Sequence, residues 1–302
     1  MIRNYFRRAY RTLLPVLYAR TNFKLFLKAA VGDVDLRVQQ LASVSDYFGD
    51  FVRPIPIHAP FGNSMLVLAP HQDDEAIGCG GALALQVRAG RRGFVVMLAE
   101  GSEGYQEAGM TRQELTDLRN EESRRAAAVL GIEAPSFLGH TDLTANIHQV
   151  AEQLGGIIRE RRADAIFTPW LLDGHPDHRT ANYALARALR DIEWDVRVFG
   201  YEVWGLCIPN VIVVIDDVMD KKLEMISSFH YANRALDYVR STQGLNMYHT
   251  RLLGSGMCRY AECFFEVPAS EYIELVKRVH AAELPRRRIS EDFFRASPSG
   301  IA

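Results

Sequence analysis

Cysteine is scarce in this chain: only four occur among 302 residues, and no two form a Cys-x-x-Cys pair. Thiols so few and so scattered do not suggest a disulfide scaffold, and they indicate a reducing compartment such as the cytoplasm. A basic excess is also missing, since 35 Lys and Arg face 37 Asp and Glu, which argues against a nucleic-acid partner. No uncharged apolar run reaches the roughly 18 residues that a membrane-spanning helix needs.

What the chain does contain is typical of a globular protein, with 48% hydrophobic and 24% charged residues. Strand-like and helix-like stretches alternate from Met65 to Ala282. This alternation predicts a three-layer, Rossmann-like α/β fold, in which a mostly parallel sheet carries helices on both faces. Proline and glycine in residues 51–63 predict a linker. We therefore expect a basic amphipathic extension and linker in residues 1–60, a main domain in 61–284 and a flexible tail in 285–302.

The extension has an unusual charge pattern, because residues 1–32 hold seven Arg and Lys and no acidic residue. Phe6, Tyr10, Leu13 and Leu17 fall on one face of a predicted helix. A segment of this kind can lie on an anionic membrane surface, or its apolar face can pack on the domain while its arginines are solvated. The first alternative predicts a cytoplasmic protein that contacts the inner face of the membrane through residues 1–30.

A short acidic cluster closes the first predicted strand of the main domain. His71, Asp73, Asp74 and Glu75 follow the apolar run that ends at Leu68. Acidic groups crowded at a strand end repel one another, so a positive charge is expected among them, and a divalent metal is the simplest candidate.

A second cluster repeats this arrangement about a hundred residues later, as His175-Pro176-Asp177-His178. Ligands of doubly wound sheets bind beyond the carboxyl ends of the strands, where the two clusters can converge. A catalytic zinc takes three protein ligands, which two histidines and one carboxylate would supply. Another carboxylate must then accept the proton of the attacking water. Asp73 and Asp74 can divide these tasks, which predicts a mononuclear metal hydrolase.

The two motifs Pro-His-x-Asp-Asp-Glu and His-Pro-Asp-His together resemble the PIG-L/LmbE-like family of zinc-dependent N-acetylglucosaminyl deacetylases. The resemblance covers about residues 64–267 and extends to a Gly-Cys-Gly-Gly stretch at 78–81 and a Tyr-Ala-Glu stretch at 260–262. It implies that His71, Asp74 and His178 hold zinc and that Asp73 is the general base. It also implies that His175 stabilises the oxyanion or protonates the leaving amine, and that Asp177 orients His175.

Some positions depart from the family pattern or allow two interpretations. Gln72 stands where the family often has proline, and the Ser-Gln pair that is frequent around residues 230–233 is absent. Arg119 either binds an anionic or sugar group of the substrate or pairs with an acidic neighbour on its own helix. Glu75 is either a helix N-terminal charge or a residue of the site.

The resemblance therefore implies a metal-dependent hydrolase that deacetylates an N-acetylated amino sugar within a conjugate, for which a lipid-linked compound is one candidate. Zinc is the expected cofactor, and another divalent ion such as Fe²⁺ is the alternative. Two other functions stay open. The substrate could be a different N-acyl amide, such as an antibiotic or a thiol precursor, which assays of amine release across acyl donors would separate. The chain could also be an inactive membrane-associated binding protein, which would neither hold zinc nor hydrolyse amides.

Overall fold

The computed structural model describes residues 53–254, 256–281 and 293, so the predicted helical extension and most of the predicted tail lie outside the described residues. Eight strands form one sheet in the order β1-β7-β8-β6-β5-β2-β3-β4. The strands are β1 (Ile55–Ile57), β2 (Ser64–Ala69), β3 (Arg92–Ala99), β4 (Ser136–His140), β5 (Ala165–Pro169), β6 (Arg197–Tyr201), β7 (Val211–Val214) and β8 (Ala261–Pro268).

The sheet is mostly parallel: β8 runs antiparallel to both of its neighbours, and every other pair of adjacent strands is parallel. This confirms the predicted α/β class. No helix in the described part of the chain has the length and apolar content needed to cross a bilayer. The helices are α1 (Asp74–Arg88), α2 (Arg112–Leu130), α3 (Ile147–Arg161), α4 (Pro176–Ala188), α5 (Met219–Ser227), α6 (His230–Asn233), α7 (Tyr238–His249) and α8 (Ala269–Ala281).

Each face of the sheet is covered by its own apolar core. Successive residues of a strand point to opposite faces, so Leu66 and Leu68 pack with α3, α4 and α8 while Met65 and Val67 pack with α1 and α5. All six residues of β2 are buried, as expected for a central parallel strand that is covered on both sides. The carboxyl end of this strand is thereby fixed in the middle of the molecule, where the first motif begins.

Local sequence signals define α2 at both ends. The side chain of Thr111 accepts a hydrogen bond from the backbone N–H of Glu114, whose carboxylate in turn accepts one from the Thr111 N–H, completing a capping box. Gly131 ends the helix in the left-handed conformation at φ 68°, which glycine adopts without steric cost.

The predicted linker over residues 51–63 is wrong from Ile55 onward. Ile55–Ile57 pairs with β7 as the edge strand of the sheet, and the side chain of Phe61 is buried in the core. Pro56 lacks a backbone donor, but an edge strand tolerates this because one of its sides has no partner. Within the predicted tail, the described residue Phe293 is buried, with its ring 4.9 Å from that of His148 on α3.

Helix α1 packs so closely on the sheet that its glycines are required. A Cβ built on Gly78 would overlap the ring of Tyr201 at the end of β6. That ring is fully buried, and its hydroxyl donates a 2.7 Å hydrogen bond to the carbonyl of Leu68 at the end of β2. The close approach therefore seats the start of α1 directly beside the ends of two strands.

Helix α1 is interrupted at Cys79, whose backbone is not helical. The interruption leaves amide groups without helical partners, and the buried carboxylate of Glu262 accepts hydrogen bonds from Gly81 N (2.8 Å) and Ala82 N (2.7 Å). Lys222 of α5, also buried, lies 2.5 Å from the same carboxylate. Since a buried charge is tolerated when it is paired and hydrogen-bonded, this pair caps the second half of α1.

The contact of Gly78 with Tyr201 gives a stability prediction. We expect Gly78→Ala to lower the free energy of unfolding by about 1–3 kcal/mol, because the added methyl group overpacks a rigid contact. Gly156→Ala on α3, where a Cβ meets nothing within 4 Å, should instead raise it by roughly 0.5–1 kcal/mol. Denaturant unfolding measures both values, and a Gly78→Ala protein as stable as the wild type would contradict the packing argument.

Candidate active site

The two histidine-containing motifs meet at one place. His71 follows β2, whereas His175 and His178 follow β5, and these strands are neighbours in the sheet. The ring centroid of His71 lies 4.7 Å from that of His175 and 5.6 Å from that of His178. One ring nitrogen from each of the three lies within 4.8 Å of the other two. Residues a hundred positions apart thus form a cluster that could hold a metal ion.

The carboxylate of Asp74 lies between two of these imidazoles. Its Oδ2 is 3.3 Å from His71 Nδ1 and 3.3 Å from His178 Nε2. Two donors on a tetrahedral zinc at roughly 2.0–2.1 Å are about 3.3 Å apart. Moreover, His178 is completely buried, and neither of its nitrogens has a well-aligned hydrogen-bond partner. These residues therefore fit a metal ion.

A further carboxylate lies beside the other ring nitrogen of His71 and of His178. Asp177 Oδ2 lies 2.9 Å from His71 Nε2, and Asp173 Oδ1 lies 3.4 Å from His178 Nδ1. Carboxylates in such positions fix the tautomer and the orientation of histidines that bind metals. Sequence reasoning missed Asp173, although an acidic residue two positions before His175 was a signal that could have indicated it. Its carboxylate also accepts hydrogen bonds from His175 N and Trp204 N.

The contacts of His175 differ from the predicted ones. The carboxylate of Asp177 faces His71, and it is the backbone N–H of Asp177 that donates to His175 Nδ1, at 3.2 Å. With Nδ1 accepting, the proton of the neutral ring is on Nε2. Burial, followed by the neighbouring His71 and His178, lowers the pKa of His175. The side chain therefore offers a neutral N–H donor to the pocket that it lines.

The adjacent residues Asp73 and Asp74 have opposite electrostatic environments. Burial and then the charge of Asp74 raise the pKa of Asp73 to about 7. Burial also acts to raise the pKa of Asp74, but the positive charges of His178 and His71 hold it well below its usual value. Asp73 lines the pocket in a strained backbone conformation with φ 125°, a kind of strain that is frequent at active sites.

The imidazoles of His71 and His178 are strongly basic in this environment. Burial lowers the pKa of each, but Asp177 and Asp74 raise that of His71 to about 9, and Asp74 and Asp173 raise that of His178 to about 10. Carboxylates that attract protons also attract a metal cation, which must displace these protons in order to bind.

Glu75 supports the loop and does not line the pocket. Its carboxylate accepts a 3.2 Å hydrogen bond from the backbone N–H of Asp73. Burial and then the charge of Asp73 raise the pKa of Glu75 to about 8. Of its two interpretations, the contacts favour a structural group at the N-terminus of α1.

Arg119 joins two loops of the site. Its guanidinium donates to the carbonyl oxygens of Gly101 (3.2 Å) and Gln72 (2.9 Å), and it also lines the pocket. Among its acidic neighbours on α2, Glu121 lies 3.5 Å from both Arg124 and Arg125. The side chain of Gln72 is buried and donates to the carbonyl of Glu100, so the residue that replaces the usual proline helps to hold the loop.

Beside this cluster lies a cavity of about 500 Å³, a size typical of small-molecule sites. One wall comes from α6 and α7, which the sequence did not predict. This wall includes residues 230–233, where the family's Ser-Gln pair is absent and Tyr231 lines the pocket. The lining residues on this side and at the mouth include Val203, Trp204, Tyr231, Arg234, Tyr238, Glu103 and Glu107.

Known proteins resemble this chain in both sequence and fold. The sequence profile of the PIG-L family, described as GlcNAc-PI de-N-acetylase, matches residues 66–189. Diacetylchitobiose deacetylase of Thermococcus kodakarensis is 30% identical over 190 residues, which are 56% of this chain and 71% of that protein. A probable N-acetyl-alpha-D-glucosaminyl L-malate deacetylase 2 of Bacillus cereus is 28% identical over 189 residues, 57% of this chain and 84% of the relative.

The fold is also similar to a solved structure. The N,N'-diacetylchitobiose deacetylase of Pyrococcus horikoshii matches with a TM-score of 0.62 at 21% identity, covering 80% of this chain and 96% of that one. At this level of identity the likeness is evidence for the fold.

The donor cluster predicts which substitutions abolish metal binding. We expect His71→Ala and His178→Ala to lose the metal that the wild type retains, since each removes a donor beside Asp74. Asp173→Asn should weaken metal affinity by roughly 10–100-fold, because it removes the carboxylate behind His178. Elemental analysis of the purified proteins measures their metal content. The control is His58→Ala, because His58 is exposed. Full metal content in His178→Ala would exclude that residue as a ligand.

Proposed function

Because the chain belongs to the PIG-L family, we propose that it is a metal-dependent N-deacetylase acting on N-acetylated amino sugars. The substrate is of the N-acetylglucosamine type, held within a larger conjugate, and the enzyme releases acetate from it. One observation carries the proposal: two distant motifs meet in a partly buried donor cluster beside a cavity large enough for a conjugated sugar.

The proposed metal ligands are His71, Asp74 and His178, and the proposed ion is Zn²⁺, with Fe²⁺ as the alternative. Two imidazoles and one carboxylate suit zinc and leave a coordination position open. When bound, the metal polarises the amide carbonyl and makes water more acidic. Asp177 and Asp173 then act as positioning residues, since each faces the remaining nitrogen of one imidazole.

Asp73 is the proposed general base. It lines the pocket, and its raised pKa lies near neutrality, where a base is most effective in accepting a proton and releasing it again. The oxygen of water adds to the amide carbonyl carbon as Asp73 accepts the proton. When the C–N bond breaks, this proton is available to the leaving amine, and the products are acetate and the free amino sugar. Asp74 cannot share this task, because its carboxylate is engaged by two imidazoles.

His175 is the proposed donor to the oxyanion. Its Nδ1 is occupied by the backbone N–H of Asp177, so Nε2–H is directed to other partners and can bind the negative charge that develops on the carbonyl oxygen. Arg119 is the proposed sugar contact. Since two backbone carbonyls hold its guanidinium in the pocket wall, it can bind substrate without first becoming ordered.

The proposal extends to the arrangement of the chain. Residues 61–284 form the catalytic domain, to which the described strand Ile55–Ile57 adds one sheet edge. Residues 1–30 contact the inner face of the cell membrane in a cytoplasmic protein, as their basic amphipathic pattern suggests, and residues 285–302 form a tail.

The substitution Asp73→Asn tests both the function and the assignment of the base. An amide of the same size cannot accept the proton, so acetate release should fall by about 10²–10⁴-fold while metal content and folding are kept. Acetate is measured over nucleotide-sugar, oligosaccharide and glycolipid donors, with the wild type as reference. If the wild type releases amine only from acylated antibiotics or thiol precursors, the sugar assignment is wrong.

Substitution of His175 separates its two possible roles. We expect His175→Ala to lower kcat by about 10²–10³-fold, as loss of an oxyanion donor does. His175→Gln keeps an N–H donor but cannot transfer a proton, so part of the rate should return. Steady-state kinetics on the donor with the highest turnover measures this. Equal loss in both variants would instead assign His175 to protonation of the leaving amine.

A further inference from the structure

Gln72 lies directly before the proposed general base and forms hydrogen bonds with three neighbours. The residue is fully buried. Its Nε2 donates to the carbonyl oxygen of Glu100 (3.2 Å) and to Oδ1 of Asn120 (3.0 Å), while its own carbonyl oxygen accepts the 2.9 Å hydrogen bond from Arg119. The backbone that leads into the base is thereby tied both to the loop after β3 and to helix α2.

The orientation of the Gln72 amide follows from its partners. A carbonyl oxygen can only accept hydrogen bonds, so the NH₂ group must face Glu100, and its two hydrogens serve the two acceptors. The Oε1 atom then faces Gly101, where an added Cβ would overlap it. Gly101 has φ 77°, a conformation that glycine adopts without steric cost. The loop after β3 can therefore pass this close to Gln72 because a glycine stands at the point of contact.

Helix α2 and the loop after β3 are also joined to each other. Arg119, which precedes Asn120 on α2, donates to the carbonyl oxygen of Gly101 at 3.2 Å. This carbonyl lies one residue after the one that Gln72 binds. Together these hydrogen bonds link Gln72, α2 and the loop in pairs. Because each part is fixed by the other two, loss of the Gln72 amide would loosen the loop as well as the backbone before the base.

The base itself is strained and is fixed from both of its sides. Asp73 has φ 125°, and a residue keeps such a conformation only when its surroundings determine it. On the C-terminal side, the backbone N–H groups of Ala76 and Ile77 in α1 donate to the Asp73 carbonyl oxygen, each at 3.0 Å. On the N-terminal side, the corresponding restraint comes from the hydrogen bonds of Gln72.

We propose that Gln72 and Asn120 are positioning residues for the general base Asp73. Granted the proposed deacetylase function, they place its carboxylate for the chemical step without touching substrate, since neither residue lines the pocket. Proline restricts its own backbone and needs no such hydrogen bonds. This chain has an amide where the family often has proline, so the geometry of its base depends on α2 and on the loop after β3.

The substitution Gln72→Met tests the proposal, because it keeps the length of the side chain and removes both donated hydrogen bonds. Glu100 and Asn120 are only half-buried, so water can replace the lost donor and the free energy of unfolding should change little. The kcat for acetate release should nevertheless fall by roughly 10–100-fold, while KM and metal content stay nearly unchanged. Steady-state kinetics, denaturant unfolding and elemental analysis of the full-length protein measure these values.

Gln86 provides a matched control, because it is also a fully buried glutamine. Its Nε2 donates to the carbonyl oxygens of Gly62 (3.0 Å) and Arg92 (3.3 Å), and its Oε1 accepts a 2.9 Å hydrogen bond from Phe61 N. It lies near the end of α1 that is remote from the base. Gln86→Met should therefore lower the free energy of unfolding and leave kcat unchanged, which is the reverse of the result expected for the first variant.

A double variant tests whether the two side chains act together. Asn120→Leu should also lower kcat, and Gln72→Met/Asn120→Leu should lose no more activity than Gln72→Met alone, because both changes remove the same hydrogen bond. Hydrogen exchange gives a measurement that needs no substrate. In Gln72→Met, the backbone amides of residues 101–110 should exchange faster than in the wild type, whereas those of α3 should exchange as before.

The outcomes separate this proposal from the proposed function. An active wild type together with a Gln72→Met protein of unchanged kcat, or of unchanged exchange in residues 101–110, would overturn the positioning role alone. Loss of metal from Gln72→Met would assign the effect to His71 instead of Asp73 and would also overturn it. A wild type that releases acetate from no donor would refute the enzyme function, and the positioning role would be refuted with it.

Discussion

The buried carboxylate of Asp74 organises the candidate site. It accepts a hydrogen bond from the backbone N–H of His71 and lies within 3.3 Å of a nitrogen on each of two imidazoles. Removing a carboxylate from water is costly unless a positive charge accompanies it. That charge is supplied by protons on His71 and His178 or by a cation that replaces them. Because the same carboxylate can pair with either, a metal ion that binds here would have to displace these protons.

Packing contacts also support the loop between β2 and α1. Tyr201 fills the space left by Gly78 and donates to the carbonyl at the end of β2, while Glu262 and Lys222 cap the broken half of α1. These contacts come from β6, β8 and α5, far from the loop in sequence. These contacts therefore help to fix the backbone at Asp73, whose conformation is strained.

Much of the architecture follows from local signals. The cap at Thr111, the stop at Gly131 and the apolar runs of the central strands each act over a few residues, and the repeated motif predicted the meeting of His71 with His178. Other features depend on tertiary structure. Pro56 suggests a break but lies in an edge strand, and α7 contains Gly244 and several β-branched or small polar residues, which disfavour an isolated helix. The pairing of Asp177 with His71 spans 106 residues, which no local pattern encodes.

The donor cluster and the outer wall of the pocket come from different parts of the fold. The donor cluster rests on strand ends in the middle of the sheet, whereas the outer pocket wall comes from residues 230–238, where the family pattern is not kept. There the ring of Tyr231 lies 5.9 Å from the guanidinium of Arg119 and 5.8 Å from that of Arg234. Arg119 is tied to the loops beside Asp73, while Arg234 is exposed at the mouth. The ring of Tyr231 therefore lies between an arginine that holds the loops beside Asp73 and an arginine that is exposed at the mouth of the pocket.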